Sequence, residues 1–413
     1  MSVTPTSAPL KFPPTVDAAL ARIAAVRPGD YARSRNAIEG AVTQLSPYIT
    51  HGFVTLPEVL AGVAAKYRLD VQHKLVYELG WRAYFRHVWE HQGDGIFQSL
   101  HPGPLPDEAY ASHMPADIRE ARTGVPAIDL AVRTLYATGY LHNHARMWLA
   151  SYAVHLRKVH WRVGADWMFG HLLDGDLASN HLSWQWVAGT ASHKPYLFNA
   201  ENVAKYAPPE WHSPGSAIDQ NYEAMHTIAH QPQAISPTDH NFPGATEPEL
   251  ATDPPAPSWV APIPLDLAGR DVWLVHPWAM GKRPVDLPPH CLHLGWWPQE
   301  LHRVRPWSPA RWAFVGARMT ELAPLTMCSD RAGLALALSG ARSAHTMGNP
   351  HIDHLLPSQV QRRLEPSLFG PVNRPCASFS QWWTRATRNV QDLQQLPGLA
   401  ALCEERPVGP LFE

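Results

Sequence analysis

Between Gly139 and Tyr206 the chain reads GYLHNHARMWLASYAVHLRKVHWRVGADWMFGHLLDGDLASNHLSWQWVAGTASHKPYLFNAENVAKY. One short region thus holds Arg146, Asp174, Asp176, Asn180, Trp184 and Trp186 among many small residues. A guanidinium, two carboxylates, a carboxamide and two indoles suit one task, the gripping of a large flat aromatic with polar edges. Asp174 and Asp176 stand two apart around Gly175, a spacing that suits a turn. One carboxylate can then meet a ribose hydroxyl or the ring edge while the other pairs with Arg146.

Two further groups extend this chemistry. In TQLSPYITHG, Thr43 and Ser46 precede a helical run, where unsatisfied amides and the helix dipole favour a phosphate. In ELGWRAYFRH, Glu78 and Trp81 are three apart and share a helical face, a carboxyl beside a stacking indole. Asn143 and Met147, four apart, share another.

The elements that must position these residues are helices. From about Thr15 to Tyr206 apolar residues recur at spacings of three and four, as in HKLVYELGWRAYFRHVWEH and PAIDLAVRTLYATGY. From Pro208 to about Gly269 the composition turns to Pro, Ser, Thr and Asp, broken by one helix around Ala217 to His230, which predicts a connection lying along the surface. After it, DVWLVHPW, CLHLGWW and LTMCSD read as strands, and SPARWAFVGARMTELA and RAGLALALSGAR as helices. The expected fold is mainly α: an all-helical domain over 1–207, a Pro-rich linker over 208–269, and a smaller α/β domain over 270–413.

Composition sets limits. The 413 residues are enough for two domains, and 45% hydrophobic with 17% charged residues describes an ordinary globular chain. Seventeen Trp and 24 His are unusual and suit stacking on planar ligands or moving electrons along aromatic side chains. A formal net charge of −2 excludes a global positive field, so any grip on nucleic acid must be local. The opening MSVTPTSAPLKFPPT has no charged segment followed by an apolar run, and no apolar stretch of about 18 residues occurs, which predicts a cytoplasmic protein without a membrane span. The four cysteines, Cys291, Cys328, Cys376 and Cys403, form no CxxC pair, and no metal is expected.

On these motifs the chain, over roughly residues 25 to 210, resembles the FAD-binding domain of the DNA photolyase and cryptochrome family. The resemblance implies FAD as cofactor, with the stretch Thr43, Gln44, Leu45 and Ser46 at its phosphates and Tyr31 also in contact with it; the pattern's usual further hydroxyl and basic residue are replaced by Val42 and Gln44. It implies Arg82 at the cofactor, an Arg146–Asp174 ion pair beside the isoalloxazine, Asp176 near it, and Asn180 approaching N5. Trp184 and Trp161 match the first two members of the family's tryptophan relay, with the third position near Tyr110.

Glu78, Trp81, Asn143, Met147 and Trp186 agree with the lesion pocket of enzymes that repair cyclobutane pyrimidine dimers, where a flipped-out dimer stacks on aromatics and is held along its polar edge. Asn143 also touches the cofactor in that pattern. The (6-4) photolyases place histidines where this chain has Asn143 and Met147. The implied activity is light-driven repair of dimers in damaged DNA by electron transfer from excited reduced FAD.

The DNA grip departs from the pattern. His144 stands where an arginine is common, and KPYLFN lacks the arginine between its tyrosine and FN; Lys194, Arg86, Arg122 and Lys205 are candidates to compensate. A cryptochrome-like photoreceptor, reaching a protein partner through the C-terminal domain, is the alternative, and a flavoprotein whose α/β domain blocks the groove is a third. The family's antenna domain precedes the flavin domain, whereas here an α/β segment follows it, similar to a rearranged antenna domain in architecture only.

Overall fold

The computed structural model describes residues 11–237, 243–255 and 267–404. The start of the N-terminal segment, parts of the Pro-rich stretch (238–242 and 256–266) and the end of the expected C-terminal domain (405–413) lie outside the described residues. The helical part comprises α1 (Val16–Ala25), α2 (Pro28–Ser34), α3 (Ser46–Thr50), α4 (Leu56–Ala64), α5 (Lys74–Gln92), α6 (Ala116–Arg119), α7 (Pro126–Thr138), α8 (Asn143–Ser151), α9 (Trp161–His171), α10 (Leu177–Ala188), α11 (Ala200–Tyr206) and α12 (Tyr222–Ala229). Then follow β1 (Asp271–Val275), β2 (Leu292–Pro298), α13 (Gln299–Val304), α14 (Pro309–Leu322), β3 (Leu325–Ser329), α15 (Arg331–Ala337), β4 (Ser343–Met347), β5 (Val360–Arg363), α16 (Phe379–Ala386) and α17 (Pro397–Glu404). Among the described residues no helix is long and apolar enough to cross a membrane, and all four cysteines are free thiols.

The five strands form one parallel sheet in the order β3-β2-β1-β4-β5. Leu274 lies level with Leu294 on one side and Thr346 on the other, and the apolar runs of β1 and β2 are buried on both faces, as a sheet covered by helices requires. β4 and β5 carry weaker signals. SAHTM buries alternate residues only, and VQRR is a short charged edge.

Local chemistry fixes the helix ends that matter for the site. Gly139, at φ +63°, ends α7 in the left-handed conformation, and its carbonyl accepts from Leu173 N at 2.7 Å. A Cβ there would lie 2.6 Å from Leu173, so the α7–α8 corner and the loop after α9 meet only because this residue is glycine. Histidine side chains cap α5, α8 and α9 (His73, His142 and His160), each accepting from the amide two residues on.

Two apolar cores result. One gathers α7 to α12, including Trp148, Tyr152, Trp161, Trp184 and Phe198. The other is shared: residues of α1, α4 and α5 pack in one cluster with Trp296, Trp307, Trp312 and Trp383 of the C-terminal part. Helix α16 seats Trp383 against Gly80 of α5, where a Cβ would lie 2.5 Å from the indole. Gly80→Ala is therefore expected to cost roughly 1–3 kcal/mol through overpacking; urea unfolding equal to wild type would contradict that contact.

The described Pro-rich residues are tied down by Glu247, which accepts from Arg119 Nη1 (2.7 Å), Trp167 Nε1 (2.8 Å) and His171 Nε2 (3.2 Å). Burial works to raise its pKa, but His171, Arg119 and Trp167 together pull it down to about 2. With the folded value below an unfolded value of about 4.3, the tie stabilises the fold above that pH and is lost as pH falls toward 2. Comparing acid unfolding of wild type and Glu247→Gln checks this; the variant should lose less stability across that window, and parallel profiles would refute it.

Candidate functional site: a cavity between four helices

A cavity of about 300 Å³ opens between α5, α8, α9 and α10. Its walls come from residues at helical spacing: Glu78, Trp81, Arg82 and Phe85 on α5; Asn143, Arg146, Met147 and Ala150 on α8; Ser179, Asn180, Ser183, Trp184 and Val187 on α10. Small side chains on α8 and α10 leave the space open, Met168 and Leu141 line it with apolar surface, and Tyr140, Ser46 and Asp174 enter from loops and α3.

The polar heart is the Arg146–Asp174 pair. Arg146 Nη2 donates to both Asp174 oxygens at 3.0 and 2.8 Å, while its Nε donates to Leu141 O at 2.8 Å. The arginine also lies over the Tyr140 ring, 5.5 Å from its centre. Burial works to raise the Asp174 pKa, yet Arg146, the Ser46 hydroxyl and Arg82 outweigh it and hold the carboxyl below its usual range. Arg82 Nη2 donates to Thr50 Oγ1 at 2.6 Å, and that hydroxyl donates to the Asp174 carbonyl at 3.3 Å. Asn180 Nδ2 donates to Ala165 O at 2.7 Å, which fixes the amide and leaves its carbonyl oxygen as the group the cavity can use.

Also in the lining, Glu78 meets Arg35 Nε at 3.3 Å. Burial raises the Glu78 pKa, and Arg35 and Lys74 offset this only in part. Asn143 Nδ2 lies 3.5 Å from Met147 Sδ. Trp81 has one face covered: Phe379 of α16 stacks on it at 4.1 Å and 14°.

Of the residues singled out in the sequence, Ser46, Glu78, Trp81, Arg82, Asn143, Arg146, Met147, Asp174, Asn180 and Trp184 converge on this cavity. Others stand outside its lining. Asp176 is the N-cap of α10, accepting from Ser179 N at 2.8 Å; burial opposes its ionisation, but Arg82 and the Ser179 bonds are among the groups that pull its pKa to about 2. Trp186 is 38% exposed beside Tyr196. Gln44, at φ +51°, is bound by Arg22, Leu45 is buried, and Thr43 Oγ1 accepts from Leu45 N at 3.4 Å. The side chains of Thr43 and Leu45 thus do not cap α3. Tyr31 on α2 is half-buried near Glu78, and desolvation first, then that charge, raises its pKa.

Trp184 is buried against Gly164, where a Cβ would lie 2.3 Å from its ring. Trp161, also buried, begins the same helix α9 and donates to Ser99 Oγ at 2.9 Å. Between Trp161 and Tyr110 stands His160, 5.6 Å from the first ring and 6.3 Å from the second. Sequence reasoning missed Arg35, Tyr140 and Phe379. Arg35 follows Tyr31 by four residues in DYARSRN, a helical spacing that was readable; Phe379 carried no local sign of its place beside Trp81.

The donors and acceptors here fit a flavin. A paired guanidinium, a carboxamide oxygen and serine hydroxyls can meet the edge of a ring whose faces rest on Met168, Val187 and Trp184. Residues 75–214 match the family described as the FAD binding domain of DNA photolyase. The chain is 34% identical over 164 residues to a deoxyribodipyrimidine photo-lyase of Streptomyces griseus, covering 40% of this chain and 36% of that protein. It is 30% identical over 228 residues to a cryptochrome DASH of Oryza sativa subsp. japonica, covering 52% and 37% respectively. A solved cryptochrome of Synechocystis sp. is 28% identical with a TM-score of 0.42, covering 48% of this chain and 44% of that one. The chain thus spans little more than a third of the length of these curated relatives. Residues 75–214 are an FAD-binding domain of the DNA photolyase and cryptochrome family.

Proposed function

We propose that the protein uses blue light to split cyclobutane pyrimidine dimers in DNA. The supporting observation is that one cavity is lined both by the flavin set, Arg146, Asp174, Arg82 and Asn180, and by four of the five lesion-pocket residues, Glu78, Trp81, Asn143 and Met147. Bound reduced FAD supplies the excited-state electron that opens the cyclobutane ring and takes it back. In this reading the chain's residues do the rest. Asp174 and Arg146 hold the ring edge, and Asn180 presents a carboxamide oxygen without an ionisable proton. Glu78, its pKa raised by burial, offers a carboxyl to the flipped lesion beside Asn143, and Trp81, which lines the cavity, gives it a stacking surface. Trp186, on the protein surface, serves as an outer stacking partner.

Trp184 and Trp161 serve as the route by which electrons reach the cavity, with Tyr110 as outer donor through His160. Trp184→Phe is expected to slow photoreduction at least tenfold while the cofactor stays bound, since phenylalanine is far harder to oxidise than tryptophan and keeps most of the packing. Unchanged bleaching under blue light with external reductant would remove Trp184 from the route.

Residues 1–207 form the flavin domain in this reading, 208–269 the connection and 270–413 an α/β layer, in a cytoplasmic protein whose partner is damaged DNA. A second reading, a cryptochrome-like sensor with a protein partner, is favoured by the Phe379 ring on Trp81 and the Glu78–Arg35 pair, which engage two pocket residues internally. Equilibrium binding to an oligonucleotide carrying one thymine dimer separates the two. The repair reading expects it to bind tighter than the undamaged strand by about 1–3 kcal/mol, the range for stacking on aromatic side chains; equal affinity would favour the sensor.

A further inference from the structure

We propose that the α/β layer is a working part of the flavin site, with Arg311 and His351 as positioning residues that hold the Asp174–Gly175–Asp176 turn from behind. The inference rests on the flavin reading of the cavity and assigns the C-terminal part a role within it.

The sheet order β3-β2-β1-β4-β5 places β2 and β4 on opposite sides of β1, so the chain leaving β1 and the chain leaving β4 part at their carboxyl ends. In doubly wound sheets that crevice is where ligands bind. Here the helical part fills it. His51 presents one ring nitrogen to Pro277 O, just after β1, at 2.5 Å and the other to Leu173 O at 2.8 Å. In the neutral ring only one of these nitrogens donates, and burial, then Arg311, pushes the pKa of His51 down to about 3. Met280 N donates back to His51 O at 3.0 Å. Gly52, at φ +65°, lets the chains approach so closely that a Cβ would lie 2.9 Å from Trp278 O.

From this docked surface two side chains reach the turn. Arg311 of α14 is fully buried, yet its guanidinium donates to Phe169 O at 3.0 Å and Gly175 O at 2.6 Å. It lies over the rings of Trp307 and Phe169, 4.1 and 4.6 Å from their centres. A Cβ on Gly175 would stand 2.8 Å from Phe169 O and 2.4 Å from Arg311 Nη1, so a larger residue would displace the guanidinium or the backbone it holds. His351, in the loop after β4, stacks on Trp278 at 4.5 Å and 11°. Its Nδ1 donates to Asn349 Oδ1 at 2.8 Å, which leaves Nε2 to accept from Leu177 N at 3.2 Å.

The outcome is a turn held on both sides. Asp174 faces the cavity and Arg146, while Asp176 caps α10, and Leu177, the first residue of α10, donates its amide to a histidine 174 positions away. A buried cation held by two carbonyls and a neutral acceptor at a helix start cost desolvation and do not come about by packing alone. Their shared effect is to fix the backbone between the ion pair and the helix that carries Asn180 and Trp184.

The test follows FAD release from full-length holoprotein by recovery of free-flavin fluorescence, alongside thermal unfolding. Arg311→Met is expected to speed release about tenfold or more, and His351→Leu by about threefold to tenfold, as loss of hydrogen bonds that order a site implies. His351→Gln, which keeps an acceptor, should stay within about twofold of wild type. Met327→Ala, a cavity in β3 away from the crevice, serves as control and should lower the melting temperature without speeding release. If Arg311→Met does not fold, the His351 pair decides alone. Release unchanged in His351→Leu, or sped equally in Met327→Ala, would overturn the proposal. A wild-type protein that binds no FAD would instead sink the flavin reading itself, and the positioning role with it.

Discussion

Asp174→Ala is expected to empty the flavin site. The substitution removes the acid that accepts from Arg146 in the cavity wall and leaves the guanidinium with the Leu141 carbonyl. Breaking a buried pair by deleting one partner costs about 3–5 kcal/mol. The lower end applies, because the Arg146 side chain keeps 23% exposure. A loss of about 3 kcal/mol in cofactor affinity is roughly a hundredfold. Flavin absorbance per polypeptide after gel filtration reads the effect directly. Asp174→Asn, which keeps an acceptor without the charge, should fall between the two, and full occupancy in Asp174→Ala would mean that the pair does not face the cofactor. Asp176→Ala should act differently: it removes a helix cap worth about 1 kcal/mol and unsettles α10, so flavin loss would come with reduced stability.

Glu78→Ala is expected to leave FAD in place and to slow repair. Glu78 lines the same cavity as Arg146 but pairs with Arg35 and not with the Arg146–Asp174 ion pair, and it shares a helical face with Trp81. A hydrogen bond between a carboxyl and the polar edge of a lesion is worth about 1.5–3 kcal/mol when charge is involved. Its loss would lower repair about tenfold to a hundredfold at limiting enzyme. The measurement is dimers split per absorbed photon, normalised to bound flavin. Arg35→Ala is the companion: if Glu78 serves mainly to hold Arg35, the two variants will behave alike and the lesion contact is excluded.

The parts of this site that were legible in the sequence share one property, helical spacing. Glu78 with Trp81, and Asn143 with Met147, were readable as faces because three and four residues bring side chains together on a helix, and all four line the cavity. The same geometry separates Trp184 from Trp186. Two residues apart on a helix lie about 200° apart, so one indole enters the cavity wall and the other meets solvent. The turn at Gly175 was readable from spacing, whereas which acid would pair with Arg146 came only from the family resemblance, since it depends on the direction in which α10 leaves the turn. Here α10 takes Asp176 as its cap.

The C-terminal part divides in the same way. Buried runs such as DVWLVHPW and LTMCSD announced β1 and β3, whereas β4 and β5, half-buried or charged, did not. The contacts of Phe379 with Trp81 and of Arg311 with Gly175 span more than a hundred residues, and no local pattern encodes them. They pack helices α14 and α16 of the C-terminal part against the helical part, where composition alone had suggested a separate unit beyond a Pro-rich connection.

Light-dependent repair of a single defined thymine dimer tests the central claim most directly. Photoreduced full-length protein would be given the dimer in single- and double-stranded oligonucleotides, with a dark control and flavin occupancy read by absorbance. Splitting is expected under blue light and not in the dark, weaker on the duplex because the phosphate-gripping arginines beside Asn143 and in KPYLFN are missing. Flavin that is bound and photoreducible, with no dimer split on either strand, would contradict it.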